Sequence, residues 1–346
     1  MKCLIWKSKE EKTVELVEKP IPKIQDSRDA IVKVTLSSIC TSDLHIKHGF
    51  IPSAYEGVTL GHEFVGEVVE LGKDVKNFQV GDKVSANVET FCGECFFCKH
   101  GFINNCEQGG WHLGCKIDGV QAEFVRVPFA DMGLNKLPEN VSYKNALFVG
   151  DVLASGYFGA ELCEINKDDT VAIIGSGPVG LCAMSSVRVM NAKKIIAIDI
   201  DNKRLDIAKE QNLADICLNP NECNIEEEIK SITNNRGADK VIECAGAETT
   251  FEMAWKIARP NAIVALVGLY EQNQILPLPQ MYGKNLIFKT GGVDATHSDE
   301  LLKLISENKI NTDFLITQTF KFEDIEKAYN YFETKPEFCL KIALEH

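Results

Sequence analysis

Two groups of side chains in this sequence are able to bind metal. The first is Cys92-x2-Cys95-x2-Cys98-x7-Cys106, set in a glycine-bearing loop. Four thiolates this close can surround one Zn²⁺ tetrahedrally, and a closed set of four leaves no position for substrate, so its role would be structural. The alternatives are buried free thiols or an iron–sulfur cluster. Packing thiols rarely crowd this densely along a chain, and nothing else in the sequence speaks for one-electron chemistry. The second group is looser: Cys40 ends the run AIVKVTLSSIC, and His62 and Glu63 lie in LGHEFVG. Taken singly, Cys40 reads as a core thiol and His62 as a turn histidine. Joined by Asp43 and His45 in CTSDLH, they form a set that could hold a catalytic zinc with an open position and further groups to orient its ligands.

A third motif points to a dinucleotide. VAIIGSGPVGL places Gly175, Gly177 and Gly180 directly after a predicted strand and at the mouth of a predicted helix. The first glycine makes the tight turn, the second lets the backbone approach a pyrophosphate, and the third lets helix and strand pack closely. The helix N-terminus then offers free N–H groups and positive dipole to the phosphates. Asp199 ends the next strand, 24 residues after Gly175, close to the usual spacing of about 20. A carboxylate there accepts hydrogen bonds from the adenosine ribose and repels a 2′-phosphate, which favours NAD over NADP. Arg204 could reach the same ribose or be a plain surface charge.

The elements that must position these residues fall into two patterns. Up to about residue 150, short alternating strands such as Ala30–Ser37, Phe64–Glu70, Lys83–Ala86 and Glu123–Val127 are punctuated by Gly and Pro, which predicts a barrel-like β domain. From about residue 152, apolar strands (Thr170–Ile174, Lys194–Asp199, Asp215–Leu218, Lys240–Cys244, Ile263–Gly268) alternate with amphipathic helices. That is the pattern of βαβ units and a parallel sheet. After Gly291 and Gly292 the reading is a helix (Glu300–Asn308), a strand near Phe314–Thr319, a helix (Phe322–Glu333) and a last strand, Cys339–Ala343.

Composition bounds the function. The 346 residues are 45% hydrophobic and 25% charged, with a net charge of −13, a globular profile of about two domains. The acidic balance argues against nucleic acid or an anionic membrane as the main partner. The longest apolar stretch, Ala262 to Tyr270, falls well short of a membrane span of about 20 residues. The opening MKCLIWKSKEEK is too soon charged to read as a signal peptide. Thirteen cysteines, an odd number, do not form a secreted disulfide framework and fit metal binding in a reducing cytoplasm. The closing Leu-Glu-His reads as the stub of an expression tag.

Together CxSDLHxxxG, GHExxGxVxxxG, the cysteine lobe and GxGPVG resemble, in order and over essentially the whole chain, the zinc-dependent medium-chain alcohol dehydrogenases. GGWHLGCKIDGVQAEFVRVPFADMGLNKLP and GDVLASGYFGAEL look most like the secondary-alcohol and formaldehyde-dehydrogenase-like branch. The resemblance implies a GroES-like β-barrel catalytic domain (1–152 and 294–346), a Rossmann NAD-binding domain (153–293), and a homotetramer or homodimer. It implies one catalytic and one structural zinc, NAD(H), and a small alcohol or carbonyl substrate. Cys40 and His62 match the first two catalytic ligands, and Asp151 falls where many relatives place a third ligand cysteine. Glu63 matches the acid beside the zinc, and Asp43 the group that orients the histidine. Ser42 matches the hydroxyl that takes the substrate proton, and His45 the end of that relay. Ser155 matches a hydroxyl near the nicotinamide. Pro178, Val179, Ile200 and Gly268 join the glycines, Asp199 and Arg204 as residues expected at the dinucleotide. Trp111 matches an aromatic wall of the substrate pocket, or is a core tryptophan beside the cysteine lobe.

The chain also departs from the family. Thr41 stands where relatives often carry Arg or His for the pyrophosphate, and Phe158 where this branch usually has His. NADP-using secondary-alcohol enzymes lack an acid at the position of Asp199. The long insertion of glutathione-independent formaldehyde dehydrogenases is missing. Polyol, threonine, formaldehyde and hydroxysteroid dehydrogenases share the scaffold as rival readings. A non-catalytic dinucleotide sensor would have no need of Cys40, His62, Glu63 and Asp151 together with Ser42 and His45.

Overall fold

The alternating run AIVKVTLSS forms the strand Ala30–Ser38, with its apolar residues buried. It pairs antiparallel with Phe64–Leu71, Phe124–Val127 and Lys341–Glu345. The sheet runs Ile316–Lys321, Lys341–Glu345, Ala30–Ser38, Phe64–Leu71, Lys83–Ala86, Leu134–Lys136, with Phe124–Val127 branching from the long strand. Val32, Val34, Phe64, Val68, Val84 and Val125 pack into one apolar cluster. Leu4, Ile39, Ile46, Leu60, Tyr329 and Phe332 belong to a second. The second cluster matters for the site, because it fixes the backbone on both sides of Cys40.

The other sheet is wholly parallel: Ile216–Leu218, Lys194–Ile198, Thr170–Ile174, Ala238–Glu243, Ala258–Leu266, Ile287–Thr290. The first strand of this series, Thr170–Ile174, lies in the middle with later strands added on either side, the doubly wound order that leaves a ligand crevice at the carboxyl ends of the strands. Its strands read as near-continuous apolar runs because helices cover them, and Thr170–Ile174 is buried at every position. Two of the covering helices start on side-chain caps. Asp201 accepts from the N–H of Lys203, and Asn224 from those of Glu226 and Glu227, which satisfies donors that a helix start leaves orphaned.

The computed structural model describes residues 1–346, which group into two units, Met1–Ala154 with Asp294–His346 and Ser155–Val293. No helix is long and apolar enough to cross a membrane.

Several elements differ from the sequence reading. The opening residues pair as a ribbon, Lys2–Trp6 with Val14–Glu18; their charges face out while Cys3, Leu4 and Trp6 are buried. CTSDLH belongs to a helix, Thr41–Lys47. The helix expected from Phe322 begins as a short 3-10 turn, Phe322–Asp324, before Ile325–Thr334. At the chain end, Leu344 is fully buried and pairs with Ser37 in the sheet.

Candidate active site and metal centres

Cys40 sits where the strand Ala30–Ser38 gives way to the helix Thr41–Lys47, as the cap residue of that helix. Its N–H donates to Asp43 Oδ2 at 2.9 Å, so Asp43 fixes the turn that presents the thiol. His62 and Glu63 follow Gly61, whose φ of +90° belongs to the left-handed region that glycine tolerates. A Cβ there would also lie 2.6 Å from Gln121 Cγ. Asp151 comes from the single π-turn Val149–Leu153, a local irregularity often found at functional positions.

These four residues converge. The donor atoms of Cys40, His62, Glu63 and Asp151 all lie within 4.8 Å of one another. His62 Nε2 is 3.3 Å from Asp151 Oδ2 and 3.3 Å from Ser42 Oγ. On its other side, His62 Nδ1 is 3.4 Å from Asp43 Oδ1. Burial works against a charged imidazole, but Asp43 and the bonds from Asp151 and Cys40 outweigh it and hold His62 well above its usual pKa. Burial likewise pushes Asp151 up, and His62 more than reverses it. One thiol, one imidazole and two carboxylates suit zinc, and Glu63 Oε1 is buried without a partner. The donor set therefore fits the implied catalytic metal.

Glu63 is also held from outside the predicted set. Lys341 Nζ closes an ion pair with Glu63 Oε2 and donates to Ile39 O at 3.1 Å. Burial opposes the ammonium, but Glu63 keeps Lys341 charged, above its ordinary pKa. Sequence reasoning missed Lys341, for which the signal was a lone lysine in the apolar run Cys339–Leu344. It also missed Gln121 and Tyr329. Tyr329 donates to Gln121 Oε1 at 2.7 Å, and Gln121 Nε2 donates to Asp43 Oδ2 at 3.2 Å. This buried chain ends on the carboxylate that faces His62. Its members lie far apart in sequence and leave no local pattern.

Ser42 and His45 sit three residues apart on one helix face. The Trp111 ring meets His62 edge-on with centroids 5.6 Å apart, while its indole N–H donates to Leu113 O at 3.1 Å. It is half-buried and flanks the second apolar cluster.

The four lobe cysteines also converge, with sulfurs within 4.8 Å of one another. The N–H of Cys92 donates to Cys106 Sγ at 3.3 Å, and that of Gln108 to the same sulfur at 3.4 Å. Backbone donors from Cys98 and Glu107 draw Cys95 down to about 6, whereas burial pushes Cys98 up to about 12. Four sulfurs at this spacing cannot all be thiolates without a cation among them, and the all-sulfur set fits a closed structural zinc site.

In the parallel-sheet unit, Gly175 has φ +91°. A Cβ at Gly180 would lie 1.7 Å from Gly175 O, whereas one at Gly177 would meet only Arg204 Nη1, at 3.8 Å. The open space over Gly177 is the cradle that a phosphate needs. The helix Pro178–Val189 starts beside it with no side-chain cap, so no side chain satisfies its first N–H groups. Pro178 fills the first turn, Val179 is half-buried beside it, and Ser176 Oγ is buried without a partner. The turn thus fits a dinucleotide. Asp199 accepts from the N–H of Ser176 at 2.6 Å and from that of Asp201 at 2.8 Å. Arg204 Nη1 lies 3.7 Å from Asp199 Oδ2, and Ile200 is exposed. Gly268 has a packing reason of its own, since a Cβ there would lie 2.4 Å from the N of Gly246. Ser155 stands at the start of the helix Ala154–Leu162.

Comparison with known proteins agrees with this architecture. The family model "Alcohol dehydrogenase GroES-like domain" matches residues 26–139, and "Zinc-binding dehydrogenase" matches residues 178–306. Zinc-type alcohol dehydrogenase B of Aspergillus flavus is 35% identical over 340 residues, covering 96% of this chain and 78% of that protein. The NADP-dependent isopropanol dehydrogenase of Thermoanaerobacter brockii is 33% identical over 333 residues, 94% of each chain. The solved alcohol dehydrogenase of Thermus sp. ATN1 superposes with a TM-score of 0.93 at 35% identity, over 100% of this chain and 99% of that one. The chain belongs to the zinc-type, medium-chain alcohol dehydrogenase family. As such it is a zinc-dependent alcohol oxidoreductase that uses a nicotinamide dinucleotide.

Proposed function

We propose that the chain is an NAD(H)-dependent dehydrogenase that interconverts secondary alcohols and ketones. In this reading Cys40, His62 and Asp151 would hold the catalytic zinc, with Glu63 as a fourth donor that gives way to water or substrate, and Cys92, Cys95, Cys98 and Cys106 would hold the structural one. The observation that carries it is the convergence of the first four donors within 4.8 Å, with the Ser42 hydroxyl against His62. When bound, zinc supplies Lewis acidity at the carbinol or carbonyl oxygen. The cofactor performs the hydride chemistry, and the protein contributes position and electrostatics.

The roles of the chain's own groups follow. Ser42 Oγ accepts the proton of the alcohol in oxidation, and His45 carries it onward toward solvent. Asp43, braced by Gln121 and Tyr329, keeps the His62 ring in one orientation. Lys341 neutralises Glu63 and holds its carboxylate in place. Gly177 and the start of the helix Pro178–Val189 receive the pyrophosphate. The choice of NAD rests on Asp199, whose buried carboxylate at the strand end would face the phosphate of NADP and repel it.

The deciding assay follows nicotinamide absorbance with NADH and NADPH over acetaldehyde, acetone, longer ketones, sugars and a keto-steroid. Turnover of ketones with NADH and little with NADPH supports the reading. Equal use of NADPH removes the Asp199 argument, and a best substrate outside the ketones removes the secondary-alcohol assignment.

A further inference from the structure

The mechanism above leaves one buried carboxylate beside the metal site without a task. Glu89 lies in a two-residue strand, Glu89–Thr90, and is directly opposite Trp111 of Gly110–Trp111. Directly opposed residues project on the same face, with Cβ atoms about 5 Å apart. Trp111 in turn abuts His62. Glu89 is therefore one side chain removed from a proposed metal ligand, and it feels the charges of both Asp151 and His62. It is only 8% exposed, and Oε2 is buried with no hydrogen-bond partner. The cations that act on it at a distance are His62 and Lys116; Asp151 and Asp294 repel it.

A buried carboxylate oxygen without a partner is costly, and replacing such a group by an apolar one of similar size commonly stabilises a protein. A cost of this kind persists where an incoming molecule supplies the missing partner.

We propose that Glu89 is the specificity-determining residue of the metal site and selects a substrate bearing a second hydroxyl near the reacting carbinol, a diol or polyol. The inference rests on the alcohol dehydrogenase reading and sharpens it. A hydroxyl both donates and accepts, so it satisfies Glu89 whether or not the carboxyl is ionised. An alkyl group in the same place would leave the carboxyl orphaned. A site built around such a bond rejects the analogue that lacks it far more strongly than an apolar pocket rejects a missing methylene.

The test compares kcat/KM for 2,3-butanediol and 2-butanol, with 3-amino-2-butanol as a third substrate. It uses enzyme shown to retain both metals, with each nicotinamide cofactor. The wild type should prefer the diol to 2-butanol by about a hundredfold. Glu89→Leu should bring that ratio near one while raising the melting temperature, because it removes the orphan. Glu89→Gln should keep the preference within about tenfold. A purely structural role for Glu89 predicts the opposite pair: a lower melting temperature and an unchanged substrate ratio. Turnover of 2-butanol by the wild type with no diol preference, or a ratio unmoved in Glu89→Leu, overturns this proposal and leaves the dehydrogenase reading standing. Preference for the amino alcohol overturns the hydroxyl assignment. No turnover of any of the three with either cofactor overturns the secondary-alcohol reading, and this inference with it.

Discussion

Lys341, on the last strand of the chain, closes an ion pair with Glu63, which enters the strand Phe64–Leu71. Both side chains are almost wholly buried. Removing one partner of such a pair strands the other as an uncompensated charge, at about 3–5 kcal/mol. Lys341→Met should therefore lower the melting temperature sharply in protein treated with chelator. Added zinc should recover part of the loss, because a cation among the four donors again neutralises Glu63. Lys341→Arg, which keeps the charge, should lose less. Equal melting curves for wild type and Lys341→Met would show that the pair contributes nothing.

Cys40 and Asp151 reach the same point from the end of a strand and from a π-turn. On the proposed reading, Cys40→Ala or Asp151→Ala should abolish turnover and lower the zinc bound per chain. Neither residue belongs to the glycine turn, so NADH binding, followed by fluorescence titration, should remain largely intact. Wild-type turnover in either variant would remove that residue from the metal site.

Asp199 gathers two backbone N–H groups and draws Arg204 to within 3.7 Å. Asp199→Gly would remove the carboxylate and free the Arg204 guanidinium for a 2′-phosphate, a pairing worth about 1.5–3 kcal/mol as a charge-assisted hydrogen bond. Relative kcat/KM should shift toward NADPH by at least about tenfold. The ratio of the two cofactors, measured with one ketone at saturation, checks this. An unchanged ratio would mean that Asp199 serves only the backbone of the turn.

What was legible in the sequence was local. Gly175, Gly177, Gly180 and Asp199 announce themselves because a turn, a helix start and a strand end lie within one βαβ unit. The cysteine lobe is legible because its ligands fall within 15 consecutive residues. Around Cys40, composition and spacing alone left the site open, and family resemblance supplied Asp151. Lys341, Gln121 and Tyr329 were not legible, because tertiary packing brings them from other elements onto Glu63 and Asp43. The ribbon Lys2–Trp6 with Val14–Glu18 was hidden by its charged residues. The helix Thr41–Lys47 was hidden by its length, under two turns, and by two β-branched residues among seven. Glu89 gave no signal at all, since a glutamate beside a cysteine motif reads as surface until its burial is known.

Burial, reinforced by Asp151 and Asp294, raises Glu89 to about 7, from an ordinary value of 4.5. In the unfolded chain the group ionises around the lower value, and in the folded chain around the higher one. As pH rises from 4.5 toward 7, the unfolded state sheds this proton first, so Glu89 progressively destabilises the fold. Above the folded value the loss is complete, on the order of a few kcal/mol. Below the unfolded value it vanishes. The difference in stability between Glu89→Gln and wild type, from urea unfolding at a series of pH values, isolates this group while other titrations cancel. That difference should grow in favour of the glutamine variant between about pH 5 and pH 7 and then level off. A difference independent of pH would mean that Glu89 ionises at its ordinary value in the folded protein and has found a partner there.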